Sequence, residues 1–205
     1  EEAHGLCCSQ IWEHKGNPAG QRLTANRTIE SFYKWSGGGR IPIFCDTTSC
    51  THTLLFETGG DILTPENREK YKQLKIMDIT QWLKEVVLPR IKVIRPKNRI
   101  LLHPTCSCQI MGLTPVLLDI ARKCAREVIL PDNWGCCGAS GDRGFIFPEL
   151  SDSATRDERD EIGHESFDGC YSLARTCEIA MQDHIEQPYE SIVYLVDETI
   201  QDQGT

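Results

Sequence analysis

The sequence predicts an α/β protein of two similar lobes, each containing a parallel βαβ-type sheet. Two observations carry this prediction: a cysteine pattern that occurs twice, and short apolar strands that alternate with helices in the second half. A chain of 205 residues is long enough for one large domain or two small ones. We place the two repeats at residues 1–97 and 98–205, with the first lobe truncated at its N-terminal side.

The elements of the first half follow from glycine stops and apolar periodicity. In chain order they are a glycine-rich loop (5–20), a helix (21–35), a short buried strand (41–45), a helix starting near residue 50, and an amphipathic helix (78–87). Two prolines, Pro89 and Pro96, then mark a linker before the second half.

The second half has a clearer strand and helix alternation. Its predicted elements are a strand (99–103), a helix (115–125), a strand (127–130), a helix (148–161), a strand near 170–173 and a helix from Cys177 to His184. Strand, helix and strand in short succession indicate a right-handed βαβ unit with parallel strands. Cysteines follow the predicted strands, so we expect them at the carboxyl edge of the sheet, where such folds place ligands.

The cysteine pattern is the most specific feature of the chain. Cys7-Cys8 and Cys136-Cys137 are adjacent pairs, and each is followed about forty residues later by another cysteine, Cys50 or Cys177. Neighbouring cysteines rarely form a disulfide with each other, whereas two thiolates in one tight turn suit a soft metal centre. We call Cys7, Cys8 and Cys50 the first cysteine set, and Cys106, Cys136, Cys137 and Cys177 the second cysteine set.

Composition excludes several classes of protein. The net charge is −8 with no dense basic stripe, which argues against nucleic acid as a partner. No apolar run is long enough for a membrane span, and no secretory signal is recognisable. Eleven cysteines, an odd number in a chain of this length, favour reduced metal-binding thiols over a disulfide framework. We therefore expect a cytoplasmic location, with peripheral attachment at the inner face of the membrane left open. Because the chain begins at Glu1 without a methionine, we also expect it to be part of a longer protein.

Three motifs resemble the cysteine-rich CCG domain family, which includes the catalytic subunit of heterodisulfide reductase. They are His-Pro-Thr-Cys at 103–106, Cys-Cys-Gly at 136–138 and Ala-Arg-Thr-Cys at 174–177. The resemblance covers most of the chain and implies an iron–sulfur cluster of the [4Fe–4S] type at the second cysteine set. It also implies that the first cysteine set contributes metal ligands.

A more specific resemblance comes from three stretches after the Cys-Cys-Gly motif, residues 136–145, 148–150 and 153–158. They are similar to the C-terminal region of FAD-linked D-lactate dehydrogenases of the FAD/iron–sulfur oxidoreductase type. This implies an electron-transfer domain that passes electrons from FAD towards a quinone or cytochrome. The flavin-binding and ferredoxin-like parts would lie elsewhere in the full-length chain, and the isolated fragment of the dehydrogenase would be inactive alone.

The chain departs from the family pattern at Thr47 and Ala174, where the family has the first cysteine of Cys-x-x-Cys. Four thiolates remain in the second cysteine set, which suffices for an ordinary four-iron cluster but not for a five-cysteine non-cubane one. The first cysteine set keeps three thiols, so we expect any metal there to be absent or loosely held.

Alternatives remain open at this point. The thiols could hold zinc in a structural or interaction module, or form a catalytic thiol/disulfide site like that of heterodisulfide reductase. They could also be buried apolar cysteines, which we expect of Cys124. Three further cysteines lie near the sites but off the pattern: Cys45, Cys108 and Cys170. His103 could donate a hydrogen bond to a cluster sulfur or be a structural histidine with its hydrogen bonds satisfied.

Overall fold

The computed structural model describes residues 5–200 and confirms an α/β architecture with two sheets of parallel strands. It forms two compact units, the first ending at Asp78 and the second beginning at Ile79. Residues 79–97, which the sequence repeat assigns to the first half, contribute Ile79, Leu83 and Leu88 to the core of the second unit.

The first unit contains five helices or helical turns and two strands. They are α1 (Gln10–His14), α2 (Pro18–Trp35), β1 (Ile43–Cys45), α3 (Thr48–His52), a π-helical turn (Thr53–Glu57), α4 (Pro65–Tyr71) and β2 (Ile76–Asp78). The helix predicted at 21–35 is confirmed as α2, whereas the predicted loop 5–20 contains the short helix α1. The strands β1 and β2 pair in parallel, in the register Ile43 to Ile76.

The N-terminus of α2 is set by local chemistry. Asn17 caps the helix by accepting a hydrogen bond from the Gly20 N–H at 2.9 Å, and proline occupies the first turn. The buried face of α2 includes Ala25 and Ile29, which form a small apolar cluster with Leu63. Burial of this face, rather than intrinsic propensity, holds the helix in place.

The second unit begins with α5 (Ile79–Trp82) and a π-helical turn (Leu83–Val87), which together cover the predicted helix 78–87. The remaining elements are β3 (Lys97–Leu102), α6 (Cys106–Ile110), α7 (Thr114–Cys124), β4 (Ala125–Ile129), α8 (Arg143–Ile146), α9 (Pro148–Ile162), β5 (Gly169–Ser172), α10 (Arg175–Ile185), β6 (Tyr189–Ser191) and α11 (Ile192–Thr199). Each strand and helix predicted for this half is present, with ends that differ by a few residues.

The sheet of the second unit has the strand order β4-β3-β5-β6, and all its neighbouring strands are parallel. Its central strand β3 sends alternate side chains to opposite faces. Ile100 and Leu102 pack into a core cluster with α7 and α11, whereas Leu101 packs into a second cluster with α10. A parallel sheet buried on both faces explains why residues 100–102 are continuously apolar.

None of the helices in residues 5–200 combines the length and the apolar character that a membrane crossing requires.

Candidate metal centre

The second cysteine set lies where three neighbouring strands end. Cys106 begins α6 just after β3, the Cys136-Cys137 pair lies in the loop after β4, and Cys177 lies in the first turn of α10, after β5. Because these strands are adjacent and parallel, their carboxyl ends share one edge of the sheet. Cysteines that are far apart in sequence therefore meet in space.

The sulfur atoms of this set are in mutual contact. Cys137 Sγ and Cys177 Sγ lie 2.9 Å apart. The Cys106 thiol hydrogen-bonds with Cys136, and Cys136 hydrogen-bonds with Cys137. The structure thus brings together all four thiols that the sequence analysis selected. Cys137 and Cys177 are buried, whereas Cys106 and Cys136 are exposed.

The pKa values of three of these thiols are shifted in opposite directions. The pKa of Cys136 is lowered well below its ordinary value, chiefly because it accepts a hydrogen bond from Cys106 and also contacts Cys137. The pKa of Cys137 is raised by its contacts with Cys136 and Cys177 and by burial. The pKa of Cys106 is raised by its hydrogen bond to Cys136 and by burial. Cys136 is therefore the preferred thiolate of the set, and it is the accessible one of the vicinal pair.

Gly138 shapes the loop that carries Cys136 and Cys137. Its φ of 74° lies in the left-handed region, and its N–H donates to Cys136 Sγ at 3.4 Å. A Cβ at this position would lie 2.7 Å from both Leu150 O and Ser151 Cα at the start of α9. Only glycine fits this close approach, which accounts for the third residue of the Cys-Cys-Gly motif.

A buried ion pair lies beside the cysteines. His103 Nδ1 is 2.9 Å from Glu158 Oε2, and both side chains are almost completely buried. The His103 carbonyl accepts a hydrogen bond from Ser172 Oγ at 2.8 Å, which ties the end of β3 to β5. Within residues 5–200, His103 Nε2 is buried and has no hydrogen-bond partner. A structural histidine would have hydrogen-bond partners at both ring nitrogens, whereas within the described residues His103 has one at Nδ1 only.

The first cysteine set is also drawn together. Cys8 hydrogen-bonds with Cys50 and Cys7, and the Cys50 contact is the main cause that raises the pKa of Cys8 to about 12. Cys7 Sγ accepts the Ser9 N–H at 3.3 Å. Cys45 lies close enough to Cys8 for electrostatic coupling, although burial is the main reason that its pKa is raised to about 12.

Cys45 is a site residue that the cysteine repeat did not identify. It is the last residue of β1, whereas the cysteines of the second set follow their strands by several residues. Strand-end position would have identified it, whereas spacing alone did not.

The remaining cysteines are buried: Cys108 and Cys124 lie in one core cluster, and Cys170 lies in the cluster that also contains Cys137 and Cys177. Cys124 is completely buried in the core, as predicted. Cys108 is buried with its Sγ 3.9 Å from Thr114 Oγ1, and burial raises the pKa of Cys170 to about 12. Ala174, where the family pattern has a cysteine, is buried and lies immediately before α10.

The donor chemistry of the second cysteine set fits a soft metal group, since its four donors are all thiols at one sheet edge. Among residues 5–200, no group of three or more His, Cys, Asp or Glu side chains is arranged to hold a metal ion directly. Sulfurs around tetrahedral zinc lie about 3.8 Å apart if each Zn–S bond is about 2.3 Å. The 2.9 Å between Cys137 and Cys177 is shorter than this, so their side chains would have to rotate apart to admit a metal.

No family model matches the chain, and no curated protein matches it. The fold and the site together define an α/β protein with a thiol-rich centre at the carboxyl edge of a parallel sheet.

Proposed function

We propose that this chain is an iron–sulfur electron-transfer domain whose cluster is held by the second cysteine set. The observation that supports the proposal is that four thiols from three separate segments of the chain lie in contact at one sheet edge. Lone buried cysteines would have no reason to converge in this way.

The four cysteines and Gly138 would have different roles in such a site. A cluster with four thiolate ligands takes up or releases a single electron with little structural change. Cys137 and Cys177 are buried and anchor the inner side. Cys106 and Cys136 are exposed and give the outer side a short route to a partner at the surface. The Gly138 N–H places a fixed hydrogen-bond donor at Cys136.

The particular pathway is proposed from the resemblance of the motifs alone. In a flavin-linked 2-hydroxyacid dehydrogenase of the D-lactate type, this chain would carry electrons from FAD towards a quinone or cytochrome. FAD, the ferredoxin-like part and the 2-hydroxyacid would be bound elsewhere in a longer protein. The absence of cysteine at Thr47 and Ala174 argues against the disulfide-reducing activity of heterodisulfide reductase, and steady turnover of a disulfide substrate would reinstate that activity.

Zinc is the second candidate because the thiol sulfurs are close together. The 2.9 Å contact is nearer to the spacing around a single tetrahedral ion than to the spacing around a four-iron cube. A zinc site would make the chain a structural or interaction module instead of an electron carrier.

One experiment separates these functions. The chain is reconstituted anaerobically with iron and sulfide, and iron, zinc and acid-labile sulfide are then measured against protein. The proposal expects about four irons and four sulfides per occupied site, a broad absorption in the visible blue and a paramagnetic signal after reduction. One zinc per four thiols without sulfide would establish the structural module, and a colourless chain would refute electron transfer.

A further inference from the structure

The buried pair formed by His103 and Glu158 has one unexplained atom. The two residues are 0% and 2% exposed, and the Glu158 carboxylate is hydrogen-bonded to His103 Nδ1. His103 Nε2 has no partner within the described residues. A buried polar atom without a partner costs about 1–3 kcal/mol, and folded proteins almost always satisfy it. The Nε2 atom therefore indicates a group that the protein chain does not itself supply.

The imidazole ring is held firmly in one position beside the second cysteine set. Glu158 binds one edge of the ring, Ser172 fixes the backbone of His103, and the Tyr189 ring packs edge-on at a centroid distance of 6.5 Å. His103 also lies near enough to Cys136 for its positive charge to favour the thiolate. The two ring contacts come from α9 and β6, and the backbone contact comes from β5.

The number of protons on the pair decides what Nε2 can do. With one shared proton the pair is an anion, and Nε2 presents only a lone pair. With two protons the pair is neutral overall, and Nε2 carries an N–H. A sulfur acceptor can bind only the second form, because a lone pair on Nε2 cannot donate to it.

We propose that His103, held by Glu158, donates its Nε2–H to a sulfur of the metal group bound by the second cysteine set. This inference rests on the proposed iron–sulfur function and adds a specific non-cysteine contact to it. A hydrogen bond to sulfur stabilises the reduced, more negative form of a cluster and so raises its reduction potential. His103 is thus a residue that sets the potential, while the four thiols hold the group.

The test begins with the unaltered chain. The protein is labelled with ¹⁵N-histidine, reconstituted with iron and sulfide, reduced, and studied by pulsed paramagnetic resonance. A weak coupling between the reduced cluster and a histidine nitrogen is expected. The coupling should disappear in His103→Phe, which keeps a ring of similar shape but has no N–H.

The reduction potential gives the second readout. His103→Phe should lower the ratio of reduced to oxidised cluster at a fixed poise about tenfold, equal to ~59 mV for a one-electron couple. Glu158→Gln can donate to Nδ1 and leave Nε2–H in place, so it should retain both the coupling and most of the potential. Tyr171→Phe is the matched control, since this buried hydroxyl bonds Glu198 in the same unit and not the cysteines.

The possible outcomes separate this inference from the proposed function. If His103→Phe does not fold, His103→Phe combined with Glu158→Met removes the unpaired carboxylate and is used instead. A cluster that shows no histidine coupling, together with an unchanged potential in the Phe variant, overturns the His103 contact and leaves the iron–sulfur function intact. A wild-type chain that takes up no iron and sulfide overturns both.

Discussion

Replacing Gly138 by alanine tests the argument that the Cys-Cys-Gly loop needs a residue without a side chain. Alanine in the left-handed region costs about 1–2 kcal/mol. The added Cβ would also lie 2.7 Å from backbone atoms of Leu150 and Ser151, which cannot move aside as a side chain would. Overpacking of this kind costs about 1–3 kcal/mol. A less flexible unfolded chain returns about 0.4–1 kcal/mol, so the net loss should be about 1–5 kcal/mol.

The measurement is urea unfolding of the metal-free protein under reducing conditions, followed by circular dichroism. A loss of this size is a large part of the ~5–15 kcal/mol that holds a typical protein folded. Gly135→Ala is the matched control, because no heavy atom lies within 4 Å of a Cβ placed there. Gly135 is also absent from the residues with positive φ, so alanine is unstrained at that position.

The reasoning would be refuted by a Gly138→Ala protein that unfolds within about 0.5 kcal/mol of the wild type, the range typical of harmless surface changes. Equal losses of unfolding free energy in the Gly135 and Gly138 variants would also contradict the reasoning. Such a result would mean that loop flexibility, and not the approach of α9, governs the stability of this loop.

Three further predictions follow from the described contacts. Cys137→Ser should remove most of the metal from the second site, whereas the core substitution Cys124→Ser should leave the metal-to-protein ratio close to wild type. Asp168 accepts two backbone N–H groups of β3, which lowers its pKa from 3.8. Its contribution to stability is therefore present above about pH 4 and lost as pH falls through the lowered pKa, so Asp168→Asn should destabilise the protein at pH 7 and the difference should shrink as the pH falls below about 4. Brief alkylation of the metal-free chain should modify the exposed Cys136 well before the buried Cys170, and prior metal loading should protect Cys136.

Each of these predictions has a contrary result. Equal metal loss in both cysteine variants would place the metal elsewhere. A constant difference between wild type and Asp168→Asn from pH 7 to pH 2 would mean that the charge of the carboxylate is irrelevant. Peptide mass spectrometry that finds equal alkylation of Cys136 and Cys170 would contradict the burial that separates them.

Long periodic elements were predictable from the sequence because their physical causes are local. The helix α7 has a continuous apolar face, and β3 ends with the apolar residues 100–102 just before a proline turn. The strands β2 and β6 have three residues each and were missed. Their backbone conformation depends on pairing with β1 and β5, which a short sequence window does not contain.

The candidate site was predictable where spacing carries information. The second cysteine set follows from a repeated motif and from the rule that parallel strands end at one edge. Cys45 lies outside the repeated motif, so only its position at the end of β1 indicates that it lies near the first cysteine set. The free nitrogen of His103 depends on Glu158, which is 55 residues away, and no local pattern records such a pairing.

The wide separation of the four thiols along the chain has a consequence during synthesis. Cys137 and Cys177 are 40 residues apart, and ribosomes add about 5–20 residues per second. Three of the thiols are therefore made about 2–8 s before the fourth. In that interval α10 has not been made, so Cys137 lacks its contact with Cys177. The four thiols can come together only after translation has passed Cys177.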